Sequence, residues 1–352
     1  MTLKRVLFFI NSLSIGGAER VFVAQANELS RRGFDVHVAT MFADNVLAEK
    51  LTVQREHLHV LNISSIFDVA GIIRLSRLVR SLESEVLYST LNEANFIARL
   101  VKLLNPSLTL ITREANMADI KPLLYKLGDW MLGFLSKYIF VVSRAVGKSL
   151  VSYAPWLRRK IRVIYNGVDL PERMPARVRG SHFKLFAMGT LMPKKDFGVL
   201  VCAMSHLPER YLLTVAGDGG ERQHLEELAK KHALGRVTFL GWVAPDKTEG
   251  LYQEHDVFVL PSKYEGCPNV VSEAQSFGLP VVAFSIRGMD EFVDEDSGVL
   301  VKERTPEALA DAIRGLCEAP GELEQKGAAG FEKVARERDY ASQIEKFVSF
   351  ML

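Results

Sequence analysis

Val6–Ile10 is a short unbroken apolar run. A polar loop, Asn11–Gly17, follows it. Apolar residues then recur at helical spacing from about Ala18 to Arg32, and Gly33 stops them. A run without alternation reads as a strand covered on both faces, and a 3.6-residue period reads as an amphipathic helix. Val36–Ala39 is the next strand. Strand, glycine loop, helix and strand in that order open a doubly wound parallel sheet. The rhythm then repeats. Ile72–Leu82 has helical spacing, Val86–Tyr88 reads as a strand, and Asn95–Leu104 as a helix closed by Asn105-Pro106. Leu108–Thr112 is a strand, Leu123–Leu135 an amphipathic helix and Tyr138–Val142 a strand. Ser143 is placed to cap a helix to about Ser152.

Asn166–Gly180 breaks the rhythm with two prolines and little periodicity, and reads as a linker. Beyond it the alternation restarts. Phe183–Met188 is a strand ending at Gly189, Phe197–Met204 a helix, and Tyr211–Ala216 a strand ending in Gly217-Asp218-Gly219-Gly220. Glu221–His232 is a helix, Val237–Leu240 and Val257–Leu260 are strands, Val270–Phe277 is a helix and Val281–Phe284 a strand. Thr305–Cys317 and the last dozen residues look helical. The pattern is two similar α/β halves joined near residue 170, which suits a chain of 352 residues with 48% hydrophobic content.

A net charge of +2 argues against a nucleic-acid binder, but the charge is unevenly divided. Residues 1–173 hold 23 Lys/Arg against 15 Asp/Glu, and the remainder holds 21 against 27. A basic half suits an anionic lipid or an anionic acceptor; scattered solvated charge is the other reading. Cys202, Cys267 and Cys317 are too few and too spread for a disulfide framework or a zinc site, so a reducing cytoplasm is expected. The first apolar run is too short for a signal-peptide core, and no apolar run reaches the length of a membrane span. Any membrane contact is then peripheral. The stretch Leu123–Tyr138, with Trp130, Met131, Phe134 and Leu135 among Lys121, Lys126 and Lys137, reads first as a helix facing the core and second as one lying on a membrane.

The chemistry concentrates in Glu265-Gly266-Cys267-Pro268-Asn269-Val270-Val271-Ser272-Glu273. Two carboxylates bracket a turn that runs into a helix, whose first N–H groups can hold phosphate while a carboxylate one turn in suits sugar hydroxyls. Gly16-Gly17 precedes a helix in the same way, although a glycine pair is often only a turn. Gly217–Gly220 lacks the spacing of a dinucleotide fingerprint and suits a wall beside a nucleotide base. Lys194-Lys195, after the strand-end Gly189-Thr190, can neutralise a pyrophosphate. Asp294-Glu295-Asp296 reads as a polar turn rather than a metal-binding pair. His57 and His59 have no third ligand nearby in sequence, so no metal is expected.

In order and spacing, these pieces resemble the GT-B glycosyltransferases, specifically glycosyltransferase family 4, over nearly the whole chain. Ser12–Arg20 is similar to that family's N-terminal loop and Tyr165–Asp169 to its interdomain signature. Gly189–Phe197 is similar to its pyrophosphate stretch. Pro261–Ala274, Gly278–Val282, Gly288–Glu291 and Gly298–Val301 are similar to its donor site. The resemblance implies two Rossmann-like doubly wound domains facing across a cleft. Residues 1–170 would form the acceptor side, 171–335 the donor side, and 336–352 a helix packing back on the first domain. It implies that Glu273 holds the ribose, Glu265 the donor sugar, and the backbone from Gly266 through Cys267, Pro268, Asn269 and Val270 to Val271 the sugar and phosphates. Lys195 would stabilise the departing diphosphate, Gly17 would donate from the first domain beside Gly16, and Gly217 would flank the donor. The chain departs from the family in having Thr190 where an Arg is usual, unless Lys194 replaces that charge. The stretch Ile111–Asn116 lacks the family's His, which leaves Arg113 and Asn116 as candidates for sugar or acceptor contacts.

The expected activity is retaining transfer of a hexose-type sugar from a nucleoside diphosphate, UDP rather than GDP, to a hydroxyl, without metal or cofactor. The expected acceptor is a lipid-linked glycan of an envelope polysaccharide, reached by a cytoplasmic enzyme in peripheral contact with the inner membrane face. A sugar-nucleotide-binding subunit without catalysis and a GT-B-type epimerase are the alternatives.

Overall fold

The computed structural model describes residues 4–177 and 180–351, so Val178 and Arg179 of the expected linker lie outside the described residues. It divides into two units, Met1–Asn166 with Gln343–Leu352, and Gly167–Ser342. The first unit runs β1 (Arg5–Ile10), α1 (Gly17–Arg31), β2 (Asp35–Thr40), β3 (Leu58–Val60), α2 (Val69–Ser81), β4 (Val86–Thr90), α3 (Asn92–Leu104), β5 (Thr109–Glu114), α4 (Leu123–Leu132), β6 (Tyr138–Val141), α5 (Arg144–Val151) and β7 (Ile161–Val163). Its strands pair in parallel in the order β3-β2-β1-β4-β5-β6-β7. Val6–Ile10 are wholly buried because helices cover both faces of the central strand. Around Phe8 the rings of Phe22 and Tyr88 pack edge-on at 5.2 and 5.0 Å. The C-terminal segment completes this core by setting Phe347 5.3 Å from Tyr88.

The second unit runs β8 (Phe183–Met188), α6 (Phe197–Ala203), β9 (Tyr211–Ala216), α7 (Arg222–His232), β10 (Val237–Gly241), α8 (Pro245–Glu254), β11 (Val257–Leu260), α9 (Asn269–Ser276), β12 (Val281–Phe284), β13 (Gly298–Val301), α10 (Pro306–Glu318) and α11 (Glu322–Glu337). A last helix, α12, spans Tyr340–Ser349. The sheet is again parallel, in the order β10-β9-β8-β11-β12-β13. In both sheets the strand order reverses once, between β1 and β4 and between β8 and β11, and ligands of doubly wound sheets bind beyond the strand ends at such a point.

The units part after Asn166 and Ser342, where the sequence suggested 170 and 335. Asn166 is tied to the first unit by the Arg113 guanidinium. Val168 belongs to the second, donating to Arg338 O at 3.0 Å and accepting from Tyr340 N–H at 3.0 Å. Gly167 is required there, since a Cβ would lie 2.5 Å from Tyr340 Cα. The expected linker is pinned to its unit by Arg177, which donates to Phe277 O at 2.7 Å and Tyr252 O at 3.1 Å.

The reading of Leu123–Tyr138 as a core-facing helix is corrected. In α4 only Gly128 and Asp129 are buried, while Leu123, Trp130 and Met131 are 70%, 52% and 59% exposed, and Phe134 just beyond is 57% exposed. The helix is held by its polar side. Arg99 Nη1 donates to Asp129 Oδ1 at 2.6 Å, and Lys121 Nζ lies 2.8 Å from Asp129 Oδ2 and 2.5 Å from Glu114 Oε2. The Tyr153 hydroxyl donates to Asp129 Oδ2 at 2.6 Å. Burial pushes the Asp129 carboxyl up, but Arg99 and Lys121 hold it below the usual range overall.

The acidic turn before β13 is a turn. Asp294 Oδ1 accepts from Ser297 N–H at 3.0 Å and from its hydroxyl at 2.6 Å, and Lys333 Nζ of α11 lies 2.5 Å from Oδ2.

Two outcomes follow from these contacts. Asp129→Ala leaves the buried Arg99 and Lys121 to share Glu114 and costs about 3–5 kcal/mol, a drop on the order of 10 °C in melting temperature that circular dichroism would register. Burial raises the Asp294 carboxyl, but Lys333 and Ser297 bring it down to about 2 from the usual 3.8. Its stabilisation is therefore present above pH 3.8 and lost as pH falls towards 2. Lys333→Met removes most of that depression, so the acid-unfolding midpoint should move to higher pH.

Candidate functional site

In the second unit the chain leaves β8 and β11 on either side of the point where the strand order reverses. Close backbone approach shapes the first exit. Gly189 N–H donates to Ala216 O at 3.0 Å, and a Cβ on Gly217 would lie 1.9 Å from Gly189 O, so only glycine fits at Gly217, whose φ is 132°. The turn then bonds to the loop after β11, with Lys263 N–H donating to Lys194 O at 2.8 Å. Arg304 clamps both sides, donating to Asp196 Oδ2 at 2.8 Å and to Pro261 O at 2.9 Å. Asp196 sits in the left-handed region at φ 54°, an unusual conformation that this clamp fixes.

This scaffold brings Lys195 and Glu265 together, 70 residues apart in sequence, with Lys195 Nζ 2.6 Å from Glu265 Oε1. The Ser262 hydroxyl donates to the same oxygen at 2.7 Å. Both charged side chains keep a little exposure, 14% and 11%, so the pair lies at the surface of the strand-end crevice. Glu273, one turn into α9, has its Oε2 held by the Tyr252 hydroxyl at 2.7 Å. Tyr252 is buried in α8 and stacks on Phe277 at 5.6 Å. Burial, and next the Glu273 charge, push the Tyr252 phenol well above its ordinary pKa, so it stays a donor. Around the turn, Asn269 N–H donates to Cys267 O at 3.0 Å and Val271 N–H to Pro268 O at 2.9 Å. Those two N–H groups serve the turn itself rather than pointing outward. Gly266 and Val270 are half-buried and Thr190 is exposed. Lys194 lies over the Tyr264 ring, 5.9 Å from its centroid.

Gly16, Gly17, Arg113 and Asn116 belong to the first unit. Gly16 caps α1, but the Glu19 carboxylate folds back over it, so that a Cβ there would lie 2.1 Å from Glu19 Oε2. The helix start that the sequence offers to phosphate is covered by the chain's own anion. Burial raises the Glu19 carboxyl, against its own N–H and Arg113, which lower it. Arg113 is 1% exposed and is bonded to Asn166, whereas Asn116 is exposed. A group the sequence did not reveal lies beyond β1 and β4. Asn11 Nδ2 donates to Glu93 Oε2 at 2.8 Å, and the Tyr125 hydroxyl donates to Glu93 Oε1 at 3.0 Å. Burial and the Glu93 charge push the Tyr125 phenol up to about 12.

The histidines have neighbours that sequence distance hid. Asp35, His37 and His57 offer ligand atoms within 4.8 Å of one another. Each already has a protein partner: Arg5 Nε lies 2.5 Å from Asp35 Oδ2, His37 Nδ1 is 3.1 Å from His59 Nε2, and His57 Nδ1 is 3.1 Å from Val36 O. In the second unit Tyr252 and Arg304 are the residues that sequence reasoning missed, while Ser262, within the donor-site stretch Pro261–Ala274, was given no role of its own. Tyr252 and Arg304 act on Glu273 and the turns from a helix and a loop with no motif of their own.

Known proteins share the sequence pattern and the fold. The model of glycosyltransferase family 4 matches residues 15–172, and that of the glycosyl transferases group 1 matches residues 182–319. A glycosyltransferase of Haemophilus influenzae is 26% identical over 336 residues, 90% of this chain and 92% of the relative. The lipopolysaccharide core biosynthesis glycosyltransferase LpsE of Rhizobium meliloti is 35% identical over 173 residues, 47% of this chain, which spans only about half (50%) of that relative. A glycosyltransferase of Methanocaldococcus jannaschii, 31% identical over 52% of this chain, is likewise spanned over 51% of its length. The crystal structure of Anabaena HepE in complex with UDP matches with a TM-score of 0.85 at 18% identity, covering 99% of both chains. The lipopolysaccharide outer core galactosyltransferase WaaB in its apo form matches at 0.78 and 16% identity, covering 99% of this chain and all of that one. With the two family models in sequence order on two doubly wound parallel sheets, the chain belongs to the family 4 glycosyltransferases of the GT-B fold.

Proposed function

We propose that this glycosyltransferase moves a hexose-type sugar from UDP to a hydroxyl of a lipid-linked glycan, with retention and without a metal. The observation that carries the reading is the Lys195–Glu265 pair at 2.6 Å beside the reversal of strand order, with Glu273 one turn along α9. An ammonium there is poised to exchange a carboxylate for a departing diphosphate, whose charge grows in the transition state. Glu265 and Glu273 offer acceptor oxygens to hydroxyls of the sugar and the ribose. Solved relatives support UDP as the carrier, since HepE is described in complex with UDP and with UDP-glucose. In same-face transfer the leaving phosphate takes the acceptor proton, so the protein's work is positioning and charge stabilisation.

A lipid-borne acceptor is supported by α4 and its surroundings. Leu123, Leu127, Trp130, Met131 and Phe134 are exposed, and Trp130 meets Trp156 edge-on at 5.1 Å. Residues 120–162 hold nine Lys/Arg against the single Asp129. Exposed apolar side chains in a stretch rich in Lys and Arg, of which Lys121 is buried against Asp129, suit the interface of an anionic bilayer. No helix among the described residues is long and apolar enough to cross a membrane. Thr190, exposed and uncharged where the family has Arg, supports the reading of a binding subunit without catalysis, and the assay below separates the two.

Incubation with a panel of UDP-sugars and membrane lipid extract, followed by mass spectrometry, should yield one glycosylated lipid. No transfer and no donor hydrolysis with any sugar nucleotide would refute catalysis. Lys195→Ala is expected to lower kcat by about 10²–10³. Tyr252→Phe, which removes the hydrogen bond to Glu273 Oε2, should raise the donor KM about three- to tenfold with little change in kcat. On vesicles containing phosphatidylglycerol, flotation of the protein should be lost in a Leu127→Glu, Trp130→Glu double variant that keeps its melting temperature.

A further inference from the structure

The first unit has its own reversal of strand order, between β1 and β4, and the chemistry placed there is unused by the donor site. Asn11 is the first residue after β1. Leu91 is the first after β4, and it holds φ 81°, a value that a bulky side chain rarely adopts and that surrounding structure must enforce. This turn delivers Glu93 to the first turn of α3. A carboxylate there would serve the helix dipole alone if it faced solvent. Instead, two donors from separate elements hold it, one on each oxygen: Asn11 Nδ2 at 2.8 Å and Tyr125 Oη at 3.0 Å. Asn11 in turn accepts from Ala94 N–H at 3.3 Å, which closes the link between the two strand ends. A carboxylate accepts about four hydrogen bonds. Glu93, Asn11 and Tyr125 are all half-buried and open to solvent on one side.

We infer that Glu93, held by Asn11 and Tyr125, binds hydroxyls of the sugar that accepts the transferred residue. The inference rests on the glycosyltransferase reading and deepens it. A carboxylate with its donors on fixed elements presents its remaining lone pairs in set directions, which suits a polyol and disfavours an anionic group. Tyr125 also ties this site to α4, the helix that carries the exposed Leu123, Leu124 and Leu127. One side of α4 thus reaches the carboxylate while the other offers a landing for a lipid tail. An acceptor with a sugar head and an apolar tail matches both.

The test uses the full chain, UDP-glucose and the other UDP-sugars as donors, and octyl glycosides of glucose, galactose and N-acetylglucosamine as acceptor probes. Two rates are read, transfer to the glycoside and release of UDP without acceptor. Glu93→Gln should raise the acceptor KM about tenfold or more, equivalent to about 1.4 kcal/mol, with UDP release within twofold of the parent. Tyr125→Phe should raise it less, and the double variant should match Glu93→Gln, because both act through one carboxylate. An unchanged acceptor KM in Glu93→Gln overturns the inference, as does a parallel loss of UDP release, which would make Glu93 a support of the fold. If the parent chain itself neither transfers sugar nor releases UDP, the reading beneath the inference fails instead.

Discussion

A buried set of charges governs the first unit. Arg99, Glu114, Lys121 and Asp129 are each no more than 2% exposed at the side chain. Taking each ion from water costs several kcal/mol, and only mutual pairing with good geometry offsets that. The pairing alternates sign, Arg99 to Asp129 to Lys121 to Glu114, and Tyr153 and Asn95 add neutral donors at 2.6 and 3.2 Å. Because Asp129 lies within α4 and Lys121 just before it, the charges fix which side of that helix faces inward. Its apolar side chains are left outside. The exposure of Trp130 and Met131 is therefore a consequence of where the ions are satisfied.

A different constraint orders the second unit, namely backbone packed against backbone. The carbonyl of Gly189 occupies the space where Gly217 would carry a Cβ, and that of Leu191 lies 2.4 Å from where one on Gly219 would sit. The strand-end turns can then stack closely, and Arg304 ties the first to the loop after β11. Lys195 and Glu265 are brought within 2.6 Å by this scaffold rather than by any preference of their own. Preorganisation of this kind places a charge before it is needed, which is where its catalytic value lies.

Much of this was legible in the chain, and the exceptions share a cause. Tyr211–Ala216, Val257–Leu260 and Val281–Phe284 match their strands residue for residue, because a strand covered on both faces must be apolar throughout. The helix α11 was missed because Gly327 and Gly330 interrupt it. Both are there for close packing: a Cβ on Gly327 would lie 2.2 Å from Gly278 O, and one on Gly330 3.2 Å from the Gln275 side chain. The side of α4 that faces inward could not be read, since a helical period says which residues share a face and not what that face meets. His57 and His59 looked isolated because Asp35 and His37 reach them from the neighbouring strand β2. Glu93 was invisible for a like reason: an acidic residue in a first turn already has an ordinary explanation.

Three carboxylates in this protein are treated alike. Glu265 is held by Lys195 and Ser262, Glu273 by Tyr252, and Glu93 by Asn11 and Tyr125. Glu265 has a charged partner and Glu93 has neutral ones, and under the proposed function that difference would sort their work. A carboxylate paired with an ammonium can release that ammonium to a phosphate, which under the proposed function would couple Glu265 to the leaving group. A carboxylate held by phenol or amide has no charge to release. Its hydrogen-bonded geometry suits steady recognition of hydroxyls. Under the proposed function Glu93 would hold the acceptor sugar, Glu273 the ribose, and Lys195 with Glu265 would answer the charge that develops when the bond breaks.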